Sequence, residues 1–304
     1  MKYFITGGSG FIAFPLVNHL LEQGHEVRIL DLKKPLINHK NLEFVNKSIT
    51  DEIGEDMKGC DFVFHFAALL GVKNSDSRPL DTMRINLQGS VNVFKTAMEI
   101  GIKDMIFASS SEVYGNPREL PIREDSVKGP VSAYGVSKLA SEIYARAYNQ
   151  EFGTDIKIVR FFNVYGPMQA DWFVVPIFIN NALQNKPLTI FGNGSQTRCF
   201  TYVEDVVDGV LKVAEHGKTG EAYNIGNNHP TTILQLAETV KEITGSKSEI
   251  VRLPYGQDTR LREREIDYRI PDISKINALG WEPKTRIHEG VKKILEWRKK
   301  NGKL

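Results

Sequence analysis

A short glycine-rich turn near the amino end of the chain restricts the fold more than any other stretch. It reads Gly7-Gly8-Ser9-Gly10-Phe11-Ile12-Ala13 and stands between the apolar run Tyr3-Phe4-Ile5 and a helical pattern over 14–23. A second strand pattern over 27–30 ends at Asp31. Such glycines let the backbone approach a pyrophosphate at a helix N-terminus, and an acid about twenty residues later suits a ribose hydroxyl. The stretch therefore predicts a βαβ unit that binds a dinucleotide.

Asp31 also indicates which dinucleotide is bound. Its carboxylate can accept a hydrogen bond from a ribose 2′-hydroxyl, whereas it would repel a 2′-phosphate. We therefore expect NAD rather than NADP as the cofactor.

Strand and helix patterns alternate through the first half of the chain. Strands are predicted at 42–45, 62–66, 105–108 and 156–162, and helices at 83–100 and 134–152. This alternation predicts an α/β fold with a Rossmann-type doubly wound parallel sheet, whose ligand lies at the carboxyl ends of the strands.

The pattern loosens after Gly166-Pro167. Helices are predicted there at 174–185, 203–216, 232–244 and 287–300, and strands at 187–191 and 222–225. We expect an NAD-binding domain of residues 1–166 with 198–228. A smaller C-terminal α/β substrate lobe would comprise 167–197 with 229–304.

The composition argues against several classes of partner. The 39 basic and 37 acidic residues leave a net charge of +2, which gives no argument for nucleic acid. The densest charged stretch, 260–265, mixes both signs and is interpreted as a solvated segment or a local anion contact.

The cysteines and histidines do not predict a metal site or a disulfide framework. Cys60 and Cys199 are consistent with a reducing compartment, and His25 and His65 are interpreted as structural. We find no signal peptide and no apolar run of membrane-spanning length, so we expect a cytoplasmic protein without membrane contact.

A tyrosine and a lysine stand one turn apart in the predicted helix 134–152. Tyr134 and Lys138 can project from one face of this helix. A cation beside a phenol stabilises the phenolate, which makes Tyr134 a candidate base and acid for a sugar or alcohol hydroxyl. The serines 109–111 follow a predicted strand, so they should reach the same sheet edge as the glycine turn. Their convergence predicts a site at that edge.

These motifs together resemble the extended short-chain dehydrogenase/reductase family, and within it the NAD-dependent nucleotide-sugar epimerases and dehydratases. The resemblance covers residues 6–283, and it departs from the family pattern at two places. Ala13 replaces the third glycine of the turn, and Ser48-Ile49 stands where many members carry an aspartate that contacts the adenine amino group. The matching motifs are Thr6-Gly7-Gly8-Ser9-Gly10-Phe11-Ile12, His65-Phe66-Ala67-Ala68, Asn86 with Gly89, Ser109-Ser110-Ser111-Glu112-Val113-Tyr114-Gly115, Tyr134 with Lys138, Arg160-Phe161-Phe162-Asn163-Val164-Tyr165-Gly166-Pro167, Gly194-Ser195-Gln196-Thr197-Arg198 and Arg269 with Pro271-Asp272.

The resemblance implies specific roles for these residues. Tyr134 would be the catalytic base at the sugar O4, Lys138 would hold the nicotinamide ribose and lower the pKa of the tyrosine, and Ser110 would hydrogen-bond O4. Cofactor contacts are implied for Gly7, Gly10, Phe11, Ile12, Asp31, Ile49, Ala67, Ala68, Asn86, Ser109, Tyr134, Lys138 and Phe161. Substrate contacts are implied for Ser110, Ser111, Asn163, Arg198 and Arg269, with the two arginines on the diphosphate of a nucleotide-diphospho-sugar. The resemblance also implies a homodimer formed through a four-helix bundle of helices 83–100 and 134–152.

Glu112 bears on the reaction. A 4-epimerase of the UDP-glucose 4-epimerase type only removes and returns a hydride at C4, and a small residue commonly fills this place. A carboxylate two positions after Ser110 resembles the pattern of 4,6-dehydratases and nucleotide-sugar decarboxylases, in which a base at C5 allows loss of the C6 hydroxyl. If Glu112 instead faces away from the site, it is a structural residue. The sequence leaves 4-epimerisation and 4,6-dehydration both open, with Glu112 as a candidate catalytic residue of the second.

Two further interpretations rank lower. The stretch Leu69-Leu70-Gly71-Val72 lacks the proline-and-serine segment of UDP-glucuronate decarboxylases, so decarboxylation comes third. A non-catalytic NAD-binding relative is disfavoured because Ser110, Tyr134 and Lys138 are all present. Asp31 also argues against a reductase that consumes external NADPH. It favours a cycle in which the hydride returns to the same substrate.

Overall fold

The computed structural model of the 304-residue chain describes residues 1–70, 75, 77–255 and 268–303. The charged stretch 260–265 and the pair Gly71-Val72, on which parts of the sequence argument rest, lie outside the described residues.

Strands and helices alternate along the described chain much as their sequence patterns predict. The strands are β1 Lys2–Thr6, β2 Glu26–Leu30, β3 Leu42–Val45, β4 Phe62–His65, β5 Asp104–Ser110, β6 Asp155–Phe161, β7 Val164–Tyr165, β8 Leu188–Phe191, β9 Thr197–Arg198, β10 Thr201–Tyr202, β11 Ala222–Ile225, β12 Thr231–Thr232, β13 Ile250–Leu253 and β14 Tyr268–Arg269. The helices are α1 Ala13–Glu22, α2 Gly54–Met57, α3 Pro79–Thr82, a π-helix Met83–Gln88, α4 Gly89–Glu99, a 3-10 helix Ser111–Tyr114, α5 Ala133–Phe152, α6 Val174–Leu183, α7 Val203–His216, α8 Ile233–Thr244, α9 Ser274–Asn277 and α10 Ile287–Lys300.

Seven of these strands form one parallel sheet, in the order β11-β6-β5-β4-β1-β2-β3. The strand order reverses between β1 and β4, where Thr6 lies opposite His65. In doubly wound sheets the ligand binds at the carboxyl ends of the strands beside such a reversal. The α/β prediction with a Rossmann-type sheet is confirmed.

Helices cover both faces of this sheet, which explains why its strands are nearly continuous apolar runs. On one face α1 and α7 contribute Leu16, Val17, Val206 and Val210 to a buried core. On the other face α4 and α5 contribute Val93, Phe94 and Ala145. The sheet edge that carries the glycine turn, the serines and Tyr134 is thereby fixed between two packed layers.

The long helix α5 begins where the sequence predicts. The hydroxyl of Ser132 accepts a hydrogen bond from the Gly135 amide at 3.1 Å, which caps the amino end. The helix ends at Gly153, whose φ of 65° is left-handed. Tyr134 is therefore held in the first turn, and Lys138 lies one turn further on.

The predicted helix 83–100 is only partly α-helical. Residues 83–88 form a π-turn before α4 begins at Gly89. A Cβ at Gly89 would lie 2.6 Å from the side chain of Ile49, and the Ser90 hydroxyl donates to the Asn86 carbonyl at 2.5 Å. Contacts distant in sequence thus shape this turn, and π-turns are frequent beside functional sites.

A second core joins helices α6, α8 and α10. It contains Phe178, Ile179, Leu236, Val240 and Val291, and it packs beside the two-stranded sheet of β8 and β13. The three residues Ile273, Ile276 and Trp281, from the segment assigned to the substrate lobe, pack into the core of the large sheet. The division into two lobes stays a prediction.

Over the described ranges, no helix combines the length and apolarity needed to cross a bilayer. The same residues contain no cluster of histidine, cysteine and acidic side chains suited to a metal ion.

Candidate active site

The glycine turn lies tightly against the end of β4. Gly7 has a φ of +69°, and a Cβ there would lie 2.7 Å from the Ala67 amide nitrogen. A Cβ at Gly10 would lie 3.0 Å from the Gly7 carbonyl oxygen. Side chains are therefore excluded from the turn, and this is the bare backbone that a dinucleotide pyrophosphate requires. The turn fits NAD, the cofactor expected from the sequence.

Asp31 lies beside this turn at the end of β2. Its carboxylate accepts hydrogen bonds from the Ser9 amide at 3.1 Å and the Lys33 amide at 2.9 Å. A carboxylate has about four acceptor sites, so these two bonds leave capacity for a ribose hydroxyl. Phe11 and Ile12 follow in the turn, half-buried, and Phe11 approaches Gly166 from the far side of the site.

Ile49 and Asn86 use their side chains within the protein. The Ile49 side chain is buried in the core against Gly89, so only its main chain is available to a nucleotide. The Asn86 carboxamide accepts from the Leu69 amide at 2.7 Å and donates to the Leu69 carbonyl and the Ser137 hydroxyl, each at 3.2 Å. Asn86 thereby ties the segment after β4, which includes Ala67 and Ala68, to helix α5.

His65 is structural, as predicted. Its two ring nitrogens lie 2.7 Å from the Thr6 hydroxyl and 2.8 Å from the Ser90 hydroxyl. Burial lowers the pKa of His65 to about 3, and the nearby Lys138 acts in the same direction. The ring is neutral at neutral pH and supports the sheet edge beneath the site.

Ser110, Tyr134 and Lys138 converge at the carboxyl end of β5. The Ser110 hydroxyl lies near enough to Tyr134 to lower the pKa of the phenol, and it accepts a hydrogen bond from the Glu112 amide at 3.2 Å. The Lys138 ammonium donates to the Ala108 carbonyl at 2.7 Å and lies 5.9 Å from the Tyr134 ring centre. The motif residues thus form one cluster.

The environment of Tyr134 raises the pKa of its phenol. Burial raises the pKa of Tyr134, the negative charge of Glu112 raises it further, and the hydrogen bond with Ser110 opposes them. Burial also lowers the pKa of Lys138 to about 7, against the attraction of Glu142. The net shift of the Tyr134 pKa is upward because desolvation disfavours the phenolate and Glu112 adds a like charge, and the lowering expected from Lys138 stays a prediction.

Glu112 faces this cluster and is paired with Arg269. The Arg269 guanidinium donates to the Glu112 carboxylate at 2.6 Å, and both side chains are at most 16% exposed. Arg269 lies on β14 opposite Arg198 of the neighbouring strand β9. The candidate base and one candidate diphosphate ligand therefore contact each other, while the second arginine lies alongside. Ser111 is buried in the 3-10 helix behind Glu112.

Asn163 has two features that point to a ligand. Its φ of 38° is left-handed, which is uncommon outside glycine, and its buried amide nitrogen lacks a hydrogen-bond partner among the described residues. Buried polar atoms are nearly always paired, so an orphaned donor indicates a missing acceptor. Phe161, on the same segment, packs edge-on to Phe66 with ring centres 6.1 Å apart.

Sequence reasoning missed three polar residues near the site. The buried Gln169 side-chain oxygen is unpartnered among the described residues, although its amide donates to the Val164 carbonyl at 2.8 Å. Glu142 and Arg160 form a fully buried ion pair, and Ser109 donates to Glu142 at 2.5 Å. The position of Glu142, one turn beyond Lys138, was a signal that could have identified it. No comparable signal marks Gln169.

Comparison with known proteins identifies the family of the chain. A family model described as the NAD dependent epimerase/dehydratase family matches residues 3–226. A UDP-N-acetyl-alpha-D-glucosaminuronate decarboxylase of Bacillus cytotoxicus is 35% identical, over 97% of each chain. The mouse dTDP-D-glucose 4,6-dehydratase is 34% identical, over 99% of this chain and 89% of its own. The crystal structure of a Thermotoga maritima UDP-glucose 4-epimerase with UDP-glucose superposes with a TM-score of 0.92, covers 99% of each chain and is 33% identical. The chain belongs to the NAD-dependent epimerase/dehydratase family and is an NAD-dependent enzyme.

Proposed function

We propose that this enzyme oxidises a nucleotide-diphospho-sugar at C4 and that Glu112 then acts at C5, so that the net reaction is a 4,6-dehydration. The single observation that carries the proposal is the position of Glu112. Its amide donates to the Ser110 hydroxyl at 3.2 Å, and its negative charge raises the pKa of Tyr134, so Glu112 lies beside the reacting groups of the site. The negative charge of Glu112 opposes ionisation of Tyr134, which would slow proton transfer in a 4-epimerase and bring no benefit there. A dehydratase needs a carboxylate at this place to accept the C5 proton.

In this proposal the first proton transfer belongs to Tyr134 and Ser110. The sugar O4 hydroxyl gives its proton to the Tyr134 oxygen, while Ser110, which lies beside Tyr134, orients both groups. NAD, when bound, supplies the acceptor and later the donor of the hydride. Gly7, Gly10, Phe11, Ile12 and Asp31 would hold it.

The second proton transfer requires Glu112 to part from Arg269. Once C4 is a ketone, Glu112 takes the C5 proton and passes it to the departing C6 hydroxyl, so that water leaves and a C5=C6 double bond forms. The hydride would then return to C6, and a proton from solvent would add at C5. Arg269 has an alternative anionic partner in the substrate diphosphate, beside Arg198 on the neighbouring strand. An arginine that exchanges one anion for another keeps its charge paired at each stage.

A second candidate, 4-epimerisation, is favoured by the same ion pair. If Arg269 holds Glu112 at 2.6 Å throughout the cycle, the carboxylate is a weak base and plays a structural role. Ser110, Tyr134 and Lys138 would then act alone, which is sufficient for removal and return of a hydride at C4.

Mass spectrometry of products formed in heavy water separates these reactions. The test uses UDP-, GDP-, dTDP- and CDP-sugars, including uronates. A 4,6-dehydratase gives a product that has lost water and gained one deuterium at C5. A new stereoisomer of unchanged mass contradicts the dehydratase proposal and supports 4-epimerisation, and loss of carbon dioxide from a uronate supports a decarboxylase.

Asp31 is proposed to select NAD. We expect Asp31→Ala to weaken NAD binding by about 1.5–3 kcal/mol, or about 10- to 100-fold in Kd, because a hydrogen bond to a charged acceptor is lost. NADP binding should improve, since the repulsion of its 2′-phosphate is removed. Isothermal titration with both cofactors measures this. Asp104→Ala, at the opposite end of the strands, is the matched control. A wild-type protein that already prefers NADP would contradict the proposal.

A homodimer through α4 and α5 is also proposed. Helix α5 packs one face on the central sheet and exposes four apolar side chains on its other side. These are Val136, Ile143, Tyr144 and Phe152, and Ile143 is 59% exposed. Exposed apolar side chains on one helix support an interface with another chain on this side of the protein. Light scattering measures the assembly, and a mass of one chain would contradict the proposal.

A further inference from the structure

Glu142 lies on the same helix face as the two motif residues. It follows Lys138 by four positions and Tyr134 by eight, so all three side chains project towards the sheet from α5. Its side chain is completely buried, which is rare for a carboxylate and requires paired partners.

The carboxylate of Glu142 is bound by residues of two different strands. Arg160 of β6 donates to both oxygens, from Nε at 2.9 Å and from Nη2 at 2.6 Å. Ser109 of β5 donates to Oε1 at 2.5 Å. One carboxylate therefore joins the helix that carries Tyr134 and Lys138 to the strand end that carries Ser110.

Arg160 extends the connection to the segment after Ser110. Its Nη1 donates to the Tyr114 hydroxyl at 2.7 Å and to the Glu124 carbonyl at 2.9 Å. Tyr114 closes the 3-10 helix that contains Glu112, and its hydroxyl donates to Asn224 at 2.7 Å. The network thus reaches both sides of the candidate base.

We infer that Glu142 is a positioning residue, which holds Tyr134 and Lys138 in register with Ser110 and places its carboxylate one helical turn from Lys138. The inference rests on the catalytic role proposed above for Tyr134 and Lys138. Replacing a buried ion pair with apolar residues is often neutral for stability, so stability alone is a weak account of this one.

The charges around Lys138 indicate that Glu142 also affects the protonation of this lysine. Burial lowers the pKa of Lys138 to about 7, and the Glu142 carboxylate is the group that raises it. The neutral His65 of β4 faces Lys138 from another element, Tyr134 faces it from α5 itself, and Glu112 of the 3-10 helix lies beyond Tyr134. The Glu142 carboxylate is itself paired with Arg160 at 2.6 Å and lies 3.7 Å from the Arg146 guanidinium. Removal of the Glu142 charge should therefore lower the pKa of Lys138.

The experiment uses Glu142→Gln, which keeps the shape of the side chain and removes its charge. We expect kcat to fall at least about tenfold with little change in KM, and the alkaline limb of the kcat–pH profile to move to lower pH. NMR titration of ¹³C-labelled lysines, with Lys138 assigned by Lys138→Met, measures the charge of Lys138 without turnover. Its midpoint should also fall. Glu99→Gln, on the exposed face of α4, is the control.

A second variant separates positioning from simple stabilisation. Glu142→Met combined with Arg160→Met removes both buried charges, so thermal stability should recover relative to Glu142→Gln while kcat stays low. Recovery of kcat together with stability would overturn the inference, as would a Lys138 midpoint unchanged in Glu142→Gln. Inactivity of Tyr134→Phe alongside unchanged kcat in Glu142→Gln rejects this inference alone. Full activity of Tyr134→Phe rejects the proposed function itself.

Discussion

Tyr134→Phe is expected to lower kcat by about 10²–10⁴-fold while the Kd for NAD changes little. The substitution removes only the hydroxyl oxygen that takes the O4 proton, and a positioned acid–base group contributes about that factor. The ring remains in the first turn of α5, and the Lys138 bond to the Ala108 carbonyl does not depend on the phenol. Turnover is measured on a sugar nucleotide that the wild type accepts, and NAD binding by calorimetry.

Tyr144→Phe is the matched control, because Tyr144 lies on the same helix with its side chain exposed. It should leave kcat unchanged. Comparable turnover in Tyr134→Phe and the wild type would reject Tyr134 as the base. Loss of NAD binding in Tyr134→Phe would show that the substitution acts through the cofactor and not through proton transfer alone.

The sheet and most of its helices could be predicted because their signals are local. The apolar runs that became β1, β4, β5 and β6 were each bounded by turn residues or helical periodicity. The π-turn at 83–88 could not be predicted in this way. It depends on Ile49 filling the space beside Gly89 and on Asn86 bonding to Leu69, and neither contact is visible in helical periodicity.

The site could be predicted as a set of residues but not as a set of contacts. Ser110, Tyr134 and Lys138 lie together because parallel strands end at one edge of the sheet. The pairing of Glu112 with Arg269 joins residues 157 positions apart, so no spacing indicates it. The direction of the Tyr134 pKa shift depends on burial, which a sequence motif does not report.

Glu112→Gln is expected to lower dehydration by about 10²–10⁴-fold while oxidation at C4 persists. Glutamine retains the size of the side chain and can still accept a hydrogen bond from Arg269, but it cannot take the C5 proton at neutral pH. Incorporation of deuterium at C5 should be lost with the dehydrated product. The absorbance of reduced nicotinamide on mixing with substrate should remain, because it reports only the C4 step.

The same substitution has a second consequence, which separates the two candidate reactions. The Glu112 charge raises the pKa of Tyr134, so its removal should lower that pKa and move the acid limb of the C4 oxidation profile to lower pH. In a 4-epimerase, Glu112→Gln would therefore retain turnover and gain activity at acidic pH. In a dehydratase, Glu112→Gln would gain activity at acidic pH only in the oxidation at C4, and dehydration would stay low. Glu119→Gln, an exposed carboxylate in the following loop, should change neither. Retained dehydration in Glu112→Gln would mean that another group takes the C5 proton, and the role proposed for Glu112 would be wrong.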